Sequence, residues 1–297
     1  MAPVTIDNHG VPLLIFEPEA QYHQHNAIVG YWGPVQSSID WCEYNYILSF
    51  YVAEMFNTVS NLGLACVGLF GAYMAWRNGL GARFVGCHLG TAMVGVGSAA
   101  FHGTLTHVGQ QGDETPMIIG AAVWLWSLAF QDPAFESKHP TLQLHSRWVV
   151  TVLVGAFAML HYVMRFTVGF QVVVGLMILS GIWQVGREYP FCRDAAALRV
   201  GRLYYHLSGW SALVLWLCDQ HFCVALHALP GGLSNPQFHA WWHVLMAINC
   251  YCGPTFLAYQ RQVRLGRKPA MRFALGIVPY VHVAAPNVAT RTQSKTR

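Results

Sequence analysis

Charged residues are scarce in this sequence. Of its 297 residues, 17 are Lys or Arg and 13 are Asp or Glu, so 10% are charged while 54% are hydrophobic. The mean hydropathy is +0.35, whereas a soluble globular domain carries about a quarter charged residues. This composition argues against a water-soluble enzyme, and the lack of a basic stripe on a soluble face argues against nucleic-acid binding.

Basic residues are missing altogether from the first 29 positions, where the one short apolar run covers residues 11–16. A cleaved signal peptide has a basic start and a longer apolar core. We therefore expect the first membrane helix to direct insertion.

Long apolar segments follow one another from about residue 50 onward. A helix needs roughly 20 residues to cross the hydrocarbon core of a bilayer. We predict an all-α polytopic membrane protein with seven transmembrane helices, at residues 52–76, 85–107, 113–131, 148–164, 166–185, 203–228 and 237–259. The expected organisation is a lumenal extension at 1–29, a seven-helix membrane domain at 30–286 and a polar tail at 287–297.

The basic residues divide unevenly between the two sides of this arrangement. Alternate loops lie on opposite sides of the membrane, and 16 of the 17 Lys and Arg residues fall on the side of the C-terminus, Arg165 being the exception. Positive charge stays cytosolic, which predicts a lumenal N-terminus and a cytosolic C-terminus. After the last helix, basic residues mix with the apolar run 273–283, which suits a segment lying against anionic headgroups. A disordered tail past Pro286 is the alternative.

Histidines near the lumenal ends of two predicted helices carry the main chemical signal. His239 and His243 are four residues apart, which places both imidazoles on one helix face, as in zinc-binding helices. His102 lies roughly 7 to 8 Å from the lumenal end of its helix, and the pair lies roughly 3 to 9 Å below the same surface. Three neutral imidazoles with a free fourth position are typical of catalytic zinc.

Spacing alone leaves other interpretations open. The histidine pair flanks Trp241 and Trp242 and could belong to an interfacial aromatic belt. No Glu lies within the pair, so a hydrolase needs another carboxylate as its general base, and Asp113 opens the third helix on the lumenal side. Ser98 faces the same way as His102, although a lone serine is typical of helix packing. Other histidines in or next to the spans also remain candidate ligands: His107, His206, His221 and His227.

A second polar cluster precedes the first helix and contains Asp40, Glu43, Asn45 and Glu54. Oxygen ligands at this close spacing suit calcium, and the backbone carbonyl of Trp41 could add another. Acidic residues before a helix also stabilise its N-terminus without any metal. Glu54 favours calcium, because the apolar run has already begun around it and a carboxylate there needs a cation.

The order of several motifs resembles the alkaline ceramidase family. The matching residues lie between Gly30 and about Pro286, at 30–34, 38–43, 45–46, 53–54, 56–62, 97–98, 101–102, 113–114, 116–118, 219, 222–223 and 237–243. The resemblance implies a seven-helix intramembrane zinc amidase of sphingolipid metabolism. Its substrate would be ceramide, dihydroceramide or phytoceramide, and its location the membrane of the endoplasmic reticulum or Golgi.

The resemblance also assigns the catalytic residues. His102, His239 and His243 would hold zinc, with Ser98 and Asp113 next to its water. Asp113 would accept the proton of that water and pass it to the leaving amine, the role of the missing Glu. Ser98 would help to hold the developing oxyanion.

On the lumenal side the resemblance implies a calcium site and a disulfide. Calcium would be bound by Asp40, Trp41, Glu43, Asn45 and Glu54. Cys42 and Cys223 would pair. Of the eight cysteines, these two belong to the family motif and also lie on the oxidising lumenal side. Asp219, near the lumenal end of the sixth helix, would either support a ligand imidazole or serve structural packing.

A lipid receptor is the main alternative function. A seven-helix receptor of the adiponectin or progestin receptor type could also hold zinc through three histidines, but it would bind lipid without releasing a sphingoid base. A haem-binding electron carrier would need histidine pairs near both membrane surfaces, whereas the three strongest candidates lie near one.

Overall fold

A computed structural model describes residues 28–230 and 233–284 of the chain. The predicted polar tail lies outside these residues, as does the predicted N-terminal extension except for residues 28 and 29. The described part is mostly helical. Its long helices are α1 (Met55–Arg77), α2 (Ala82–Thr104), α3 (His107–Ala129), α5 (Pro140–Met164), α6 (Thr167–Gly186), α8 (Ser208–His221) and α10 (Phe238–Arg264).

Shorter elements connect these helices. They are α4 (Pro133–Lys138), a 3₁₀ turn (Tyr189–Phe191), α7 (Ala195–Arg199), a π-helical segment (Val200–Leu207) that continues into α8, and α9 (Cys223–His227). A hairpin of β1 (Pro269–Ala274) and β2 (Val278–Val283) follows α10.

Four helical segments in the described part are long and apolar enough to cross a membrane: α1, α2, α5 and Thr167–Phe191, which contains α6. The other three predicted spans are also helical. Two of them correspond to α3 and α10, which carry buried polar side chains. The third, predicted at 203–228, is made of the π-helical segment, α8 and α9 in succession. The sequence thus located the helices, while seven crossings and the orientation of the termini stay predictions.

The hairpin departs from the predicted all-α fold. Its strands pair antiparallel, from Pro269 with Val283 to Ala274 with Val278. The turn is tight because Leu275 and Gly276 both adopt positive φ, at 50° and 76°, as in the turns that match the twist of a hairpin. The apolar run 273–283 therefore folds mainly as this turn and the second strand.

A short connection joins α2 to α3. Leu105 adopts a φ of 49° and ends α2, while the Thr106 side chain accepts a hydrogen bond from the Gly109 amide at 3.1 Å. These are ordinary helix-ending and helix-starting devices. They turn the chain back so that α3 lies beside α2.

Small residues let α2 approach helices on both sides. A Cβ added to Gly95 would lie 2.4 Å from the Ala65 backbone nitrogen of α1, and one added to Gly97 would lie 1.9 Å from the Gly112 carbonyl oxygen of α3. Close backbone contacts of this kind are typical of membrane helices. They hold α2 between α1 and α3.

The segment before α1 folds over the end of the bundle where α1 and α10 begin. Buried Trp41 and Tyr46 form a cluster with Leu105. The Glu54 amide donates a hydrogen bond to the His102 carbonyl oxygen at 2.9 Å. This segment is therefore fastened to the end of α2.

A disulfide also anchors this segment, and it confirms the predicted pair. Cys42 and Cys223 are bonded, with their Cα atoms 5.3 Å apart and a sequence separation of 181. Among the described residues, the free cysteines are Cys66, Cys87, Cys192, Cys218, Cys250 and Cys252.

Replacing Cys42 and Cys223 together by serine is expected to lower the free energy of unfolding by about 2–4 kcal/mol, because the bridge restricts the unfolded chain. Thermal unfolding of the detergent-purified double variant measures this loss. Cys192→Ser, which removes a free thiol, serves as the control. An unchanged midpoint in the double variant would mean that the bridge does not form.

Candidate metal centre and active site

Three buried histidines meet between α2 and α10. His102 belongs to the last turn of α2, and His239 and His243 belong to the first turns of α10. One ring nitrogen from each lies within 4.8 Å of those of the other two. The residues are only 1% to 2% exposed. The structure therefore brings together the three predicted zinc ligands.

Two of these imidazoles are held by polar groups from α1 and the residue before it. The Nδ1 atom of His102 contacts the Glu54 carboxylate. The Nδ1 atom of His243 lies 2.9 Å from the Ser60 hydroxyl oxygen, which itself donates to the Asn57 carbonyl oxygen at 2.9 Å. Ser60 thus accepts from the His243 ring. Such contacts fix the orientation of both rings, as partners of metal-bound histidines do.

His239 is positioned through its ring face and its backbone. Its ring stacks on Trp41, with a centroid distance of 3.6 Å and an interplanar angle of 18°. Its backbone amide donates to one oxygen of Asp219 at 3.1 Å, and the other oxygen accepts the Cys42 amide at 3.3 Å. Of the two roles expected for Asp219, these bonds favour the structural one, because both of its oxygens accept backbone amides and neither bonds an imidazole ring.

This set of donors fits a zinc ion. Neutral imidazoles are common zinc ligands, and three of them leave a fourth position open for chemistry. The Nδ1 atom of His239 is buried and has no hydrogen-bond partner among the described residues. A buried polar atom without a partner costs free energy, and a cation within the cluster removes such a cost.

Ser98 and Asp113 lie close to the histidines, where α2 contacts α3. The Ser98 hydroxyl lies near the Asp113 carboxyl group, and Asp113 Oδ1 has no hydrogen-bond partner in the described part of the chain. Together with His243, both residues line a cavity of about 930 Å³, a volume that includes its opening. This end of the cavity thus presents a carboxyl group, a hydroxyl group and an imidazole.

The rest of the cavity is mainly apolar. Its walls come from α1, α2, α3, α6, α10 and the π-helical segment, with side chains that include Leu64, Val94, Met117, Trp124, Ile178 and Met246. Asn249, also in the wall, donates to the Tyr205 carbonyl oxygen at 2.7 Å. This bond satisfies a backbone group within the π-helical segment. One polar end and a long apolar body suit an amphiphilic ligand.

The predicted calcium ligands also lie close together. The Asn45 amide donates to both carboxyl oxygens of Asp40, at 3.2 and 3.1 Å. The Glu54 carboxyl group contacts Asp40 and accepts the Trp41 backbone amide at 3.2 Å. Oxygen atoms therefore converge between the loop and the start of α1, next to His102.

Glu43 has a second role at the start of α1. Its two carboxyl oxygens accept the Phe56 and Asn57 amides, both at 2.8 Å, as an acidic residue at a helix start does. Burial and then the charge of Glu54 raise the pKa of Glu43 to about 7. The same two causes raise the pKa of Asp40 well above its usual value. Buried carboxylates that repel one another favour a bound cation.

The other histidine candidates lie outside the cluster. His227 lies beside the Cys42–Cys223 disulfide, which leaves no thiolate there for a metal, and its Nε2 atom is 2.7 Å from the Cys42 carbonyl oxygen. Within residues 28–230 and 233–284, no group of three metal-ligating side chains includes His107, His206 or His221. Of the histidines that spacing alone left as candidate ligands, the structure thus clusters His102, His239 and His243.

Two polar groups were missed from the sequence. Ser60 and Asn61 of α1 lie 2.9 and 3.2 Å from the Nδ1 atom of His243. Glu114 and His161 form a buried pair at 2.6 Å that joins α3 to α5. Polar side chains inside apolar helices are costly and indicate function. That signal was present in all three predicted spans that contain these residues, 52–76, 113–131 and 148–164.

These features describe a multi-pass helical membrane protein with a three-histidine site at the end of an apolar cavity. A sequence model of the family described as Ceramidase matches residues 33–282. The chain belongs to this family.

Several curated proteins are similar over most of their length. An alkaline ceramidase of Arabidopsis thaliana is 35% identical over 261 residues, covering 88% of this chain and 98% of that protein. Alkaline ceramidase 3 of Mus musculus is 35% identical, and the match covers 85% of this chain and 94% of the mouse protein. Alkaline ceramidase YPC1 of Saccharomyces cerevisiae is 31% identical, and the match covers 87% of this chain and 94% of the yeast protein. The resemblance noted from the motifs is thus confirmed, and a lipid receptor is not favoured.

Proposed function

We propose that the chain is a zinc-dependent hydrolase that cleaves the amide bond of ceramide-type sphingolipids within the membrane. Membership of the ceramidase family supports the substrate class. The observation that carries the zinc-dependent reaction is the three-histidine cluster next to Ser98 and Asp113, at the polar end of an apolar cavity. The products are a sphingoid base and a free fatty acid.

Each residue at the polar end has a chemical task. Zinc held by His102, His239 and His243 would act as a Lewis acid toward the amide carbonyl and the attacking water. Asp113 accepts a proton as the water oxygen adds to the amide carbon, and delivers it to nitrogen as the C–N bond breaks. The Ser98 hydroxyl donates to the carbonyl oxygen as negative charge develops.

The apolar body of the cavity accommodates a lipid chain. His243 and Pro254 of α10 both line it, and eleven residues of helix span roughly 16 Å at 1.5 Å per residue. A hydrocarbon chain lying along this wall places the amide at the polar end. A membrane location follows, because such a substrate resides in the bilayer.

The membrane arrangement is part of the proposal. Helices lie at all seven predicted segments, and the basic residues divide 16 to 1 between the two sides that these segments define. We infer seven crossings, a lumenal N-terminus and a cytosolic C-terminus, in the endoplasmic reticulum or Golgi membrane.

Calcium is proposed as a second, structural ion. Asp40, Glu43, Asn45 and Glu54, with the Trp41 carbonyl, are oxygen ligands of the type that calcium prefers. The carboxyl groups are buried or half-buried and close together. A lumenal location would supply the ion, because the lumen is richer in calcium than the cytosol.

Turnover tests the proposed function against the receptor alternative. Detergent-purified protein is incubated with ceramide, dihydroceramide and phytoceramide, and released long-chain base is quantified by mass spectrometry. Release from at least one substrate, stopped by a zinc chelator, is expected. Saturable lipid binding with no released base would support a receptor instead.

Substitutions at Ser98 and Asp113 separate chemistry from zinc binding. Asp113→Asn is expected to lower kcat by about 100- to 10,000-fold, because it removes the proton acceptor. Ser98→Ala should lower kcat by about 100- to 1,000-fold through loss of the oxyanion donor. Both variants should retain zinc in elemental analysis.

Ser127→Ala is the matched control for the serine variant, since Ser127 is buried in α3 and bonds to the Val123 carbonyl oxygen. It should keep near wild-type activity. Loss of zinc from Asp113→Asn or Ser98→Ala would assign these residues a structural role.

A further inference from the structure

Asn61 lies where one face of α1 changes from polar to apolar. Glu54, Asn57 and Asn61 are spaced by three and four residues, so they share one side of the helix. All three are fully buried. The next residue on this side is Leu64, which lines the cavity together with Asn61. Asn61 is therefore the last polar group before the apolar wall begins.

The orientation of the Asn61 amide follows from its contacts. Its Nδ2 atom lies 2.8 Å from the Asn57 carbonyl oxygen. A carbonyl oxygen accepts hydrogen bonds only, so the nitrogen rather than the oxygen of the side chain must face it. The same nitrogen lies 3.2 and 3.3 Å from the two ring nitrogens of His243. Because the His243 Nδ1 proton goes to Ser60, the contact with the Asn57 carbonyl oxygen alone fixes the orientation, and Oδ1 is left as the acceptor of the side chain.

No group among the described residues donates a hydrogen bond to Asn61 Oδ1. A buried acceptor in this state costs free energy, and a ligand that brings a donor recovers it. Asn61 belongs to the wall of the cavity together with Ser98, Asp113 and His243, although its Oδ1 atom is itself buried. A donor on the polar part of a substrate in this cavity would satisfy Oδ1 once the side chains around it shift to admit the ligand.

The proposed substrate carries such donors next to the bond that is cleaved. In a ceramide, the carbon attached to the amide nitrogen lies between two carbons that bear hydroxyl groups. We propose that Asn61 Oδ1 accepts a hydrogen bond from a sphingoid-base hydroxyl, and so selects N-acyl amino alcohols over amides without that hydroxyl. This inference rests on the proposed hydrolysis and deepens it, because it identifies the group that recognises the amine side of the substrate.

Substrate analogues test the assignment directly. kcat/KM is measured for the full-length wild-type protein on a ceramide and on two analogues with the same chains, one lacking the C1 hydroxyl and one lacking the C3 hydroxyl. A site built to bond a hydroxyl rejects a ligand without it, so wild type should prefer ceramide over one analogue by about 10-fold or more. In Asn61→Ala this ratio should fall toward 1, with zinc content unchanged.

Leu64→Ala is the matched control, since Leu64 lines the same cavity one turn further along α1. It should lower kcat/KM for all three substrates and leave their ratio unchanged.

Three results would overturn the role of Asn61. They are equal wild-type rates on all three substrates, a preference that survives in Asn61→Ala, or loss of zinc from that variant. If Asn61→Ala does not fold, the comparison of the wild-type protein on the three substrates still tests the assignment. If the wild-type protein released no long-chain base from any substrate, the proposed hydrolysis itself would be contradicted.

Discussion

Replacing His102, His239 or His243 by alanine is expected to remove bound zinc and ceramide hydrolysis together. Each residue supplies one of three ring nitrogens within 4.8 Å of one another, so any single loss leaves a two-ligand site. Removing a partner behind a metal ligand costs about 10- to 100-fold in affinity. Removing a ligand should cost more than that. Elemental analysis and released long-chain base are measured on the same preparation.

A buried histidine outside the cluster provides the control for these variants. His88 lies in α2, as His102 does, and is 3% exposed. His88→Gln should therefore retain zinc. If an alanine variant at His102, His239 or His243 kept full zinc occupancy, that residue would leave the proposed ligand set.

Calcium removal is expected to lower thermal stability and activity while zinc stays bound. Without a cation, the carboxyl groups of Asp40, Glu43 and Glu54 repel one another in a buried setting. A ligand present at 100 times its Kd stabilises the folded state by about 2.7 kcal/mol, and a selective chelator removes this contribution. The proposed zinc ligands lie on other elements, α2 and α10.

Glu54→Ala should have a larger effect than calcium removal. Besides removing a proposed calcium ligand, it removes the carboxylate that contacts His102 Nδ1, so zinc affinity should fall about 10- to 100-fold. Glu188→Gln, which breaks an ion pair with Arg264, should respond to the chelator as wild type does. If the chelator left the melting temperature unchanged and Glu54→Ala matched wild type, the carboxyl groups would serve only the helix start.

Helix positions were predictable because apolar length is a local property. The predicted span 52–76 became Met55–Arg77, and 237–259 became Phe238–Arg264. The span predicted at 148–164 begins earlier, at Pro140, because helical residues there are too polar to have been counted as membrane. The π-helical segment and the terminal hairpin depend on packing against α10, which no local pattern records.

The clustering of His102, His239 and His243 could be predicted because helical spacing and depth place them together. Roles that depend on tertiary contacts were different. Asp219 bonds the His239 backbone amide, and Asn61 owes its unsatisfied oxygen to the Asn57 carbonyl oxygen 2.8 Å from its nitrogen. Neither bond can be deduced before the neighbouring helices or rotamers are known.

Zinc reconstitution measures the central claim most directly. Purified protein is stripped with a chelator, titrated with zinc, and assayed for bound metal and released long-chain base at each step. Hydrolysis is expected to be absent from stripped protein and to rise in proportion to zinc, until each chain holds one ion at His102, His239 and His243. Full hydrolysis in zinc-free protein, or stoichiometric zinc without released base, would contradict the proposed function.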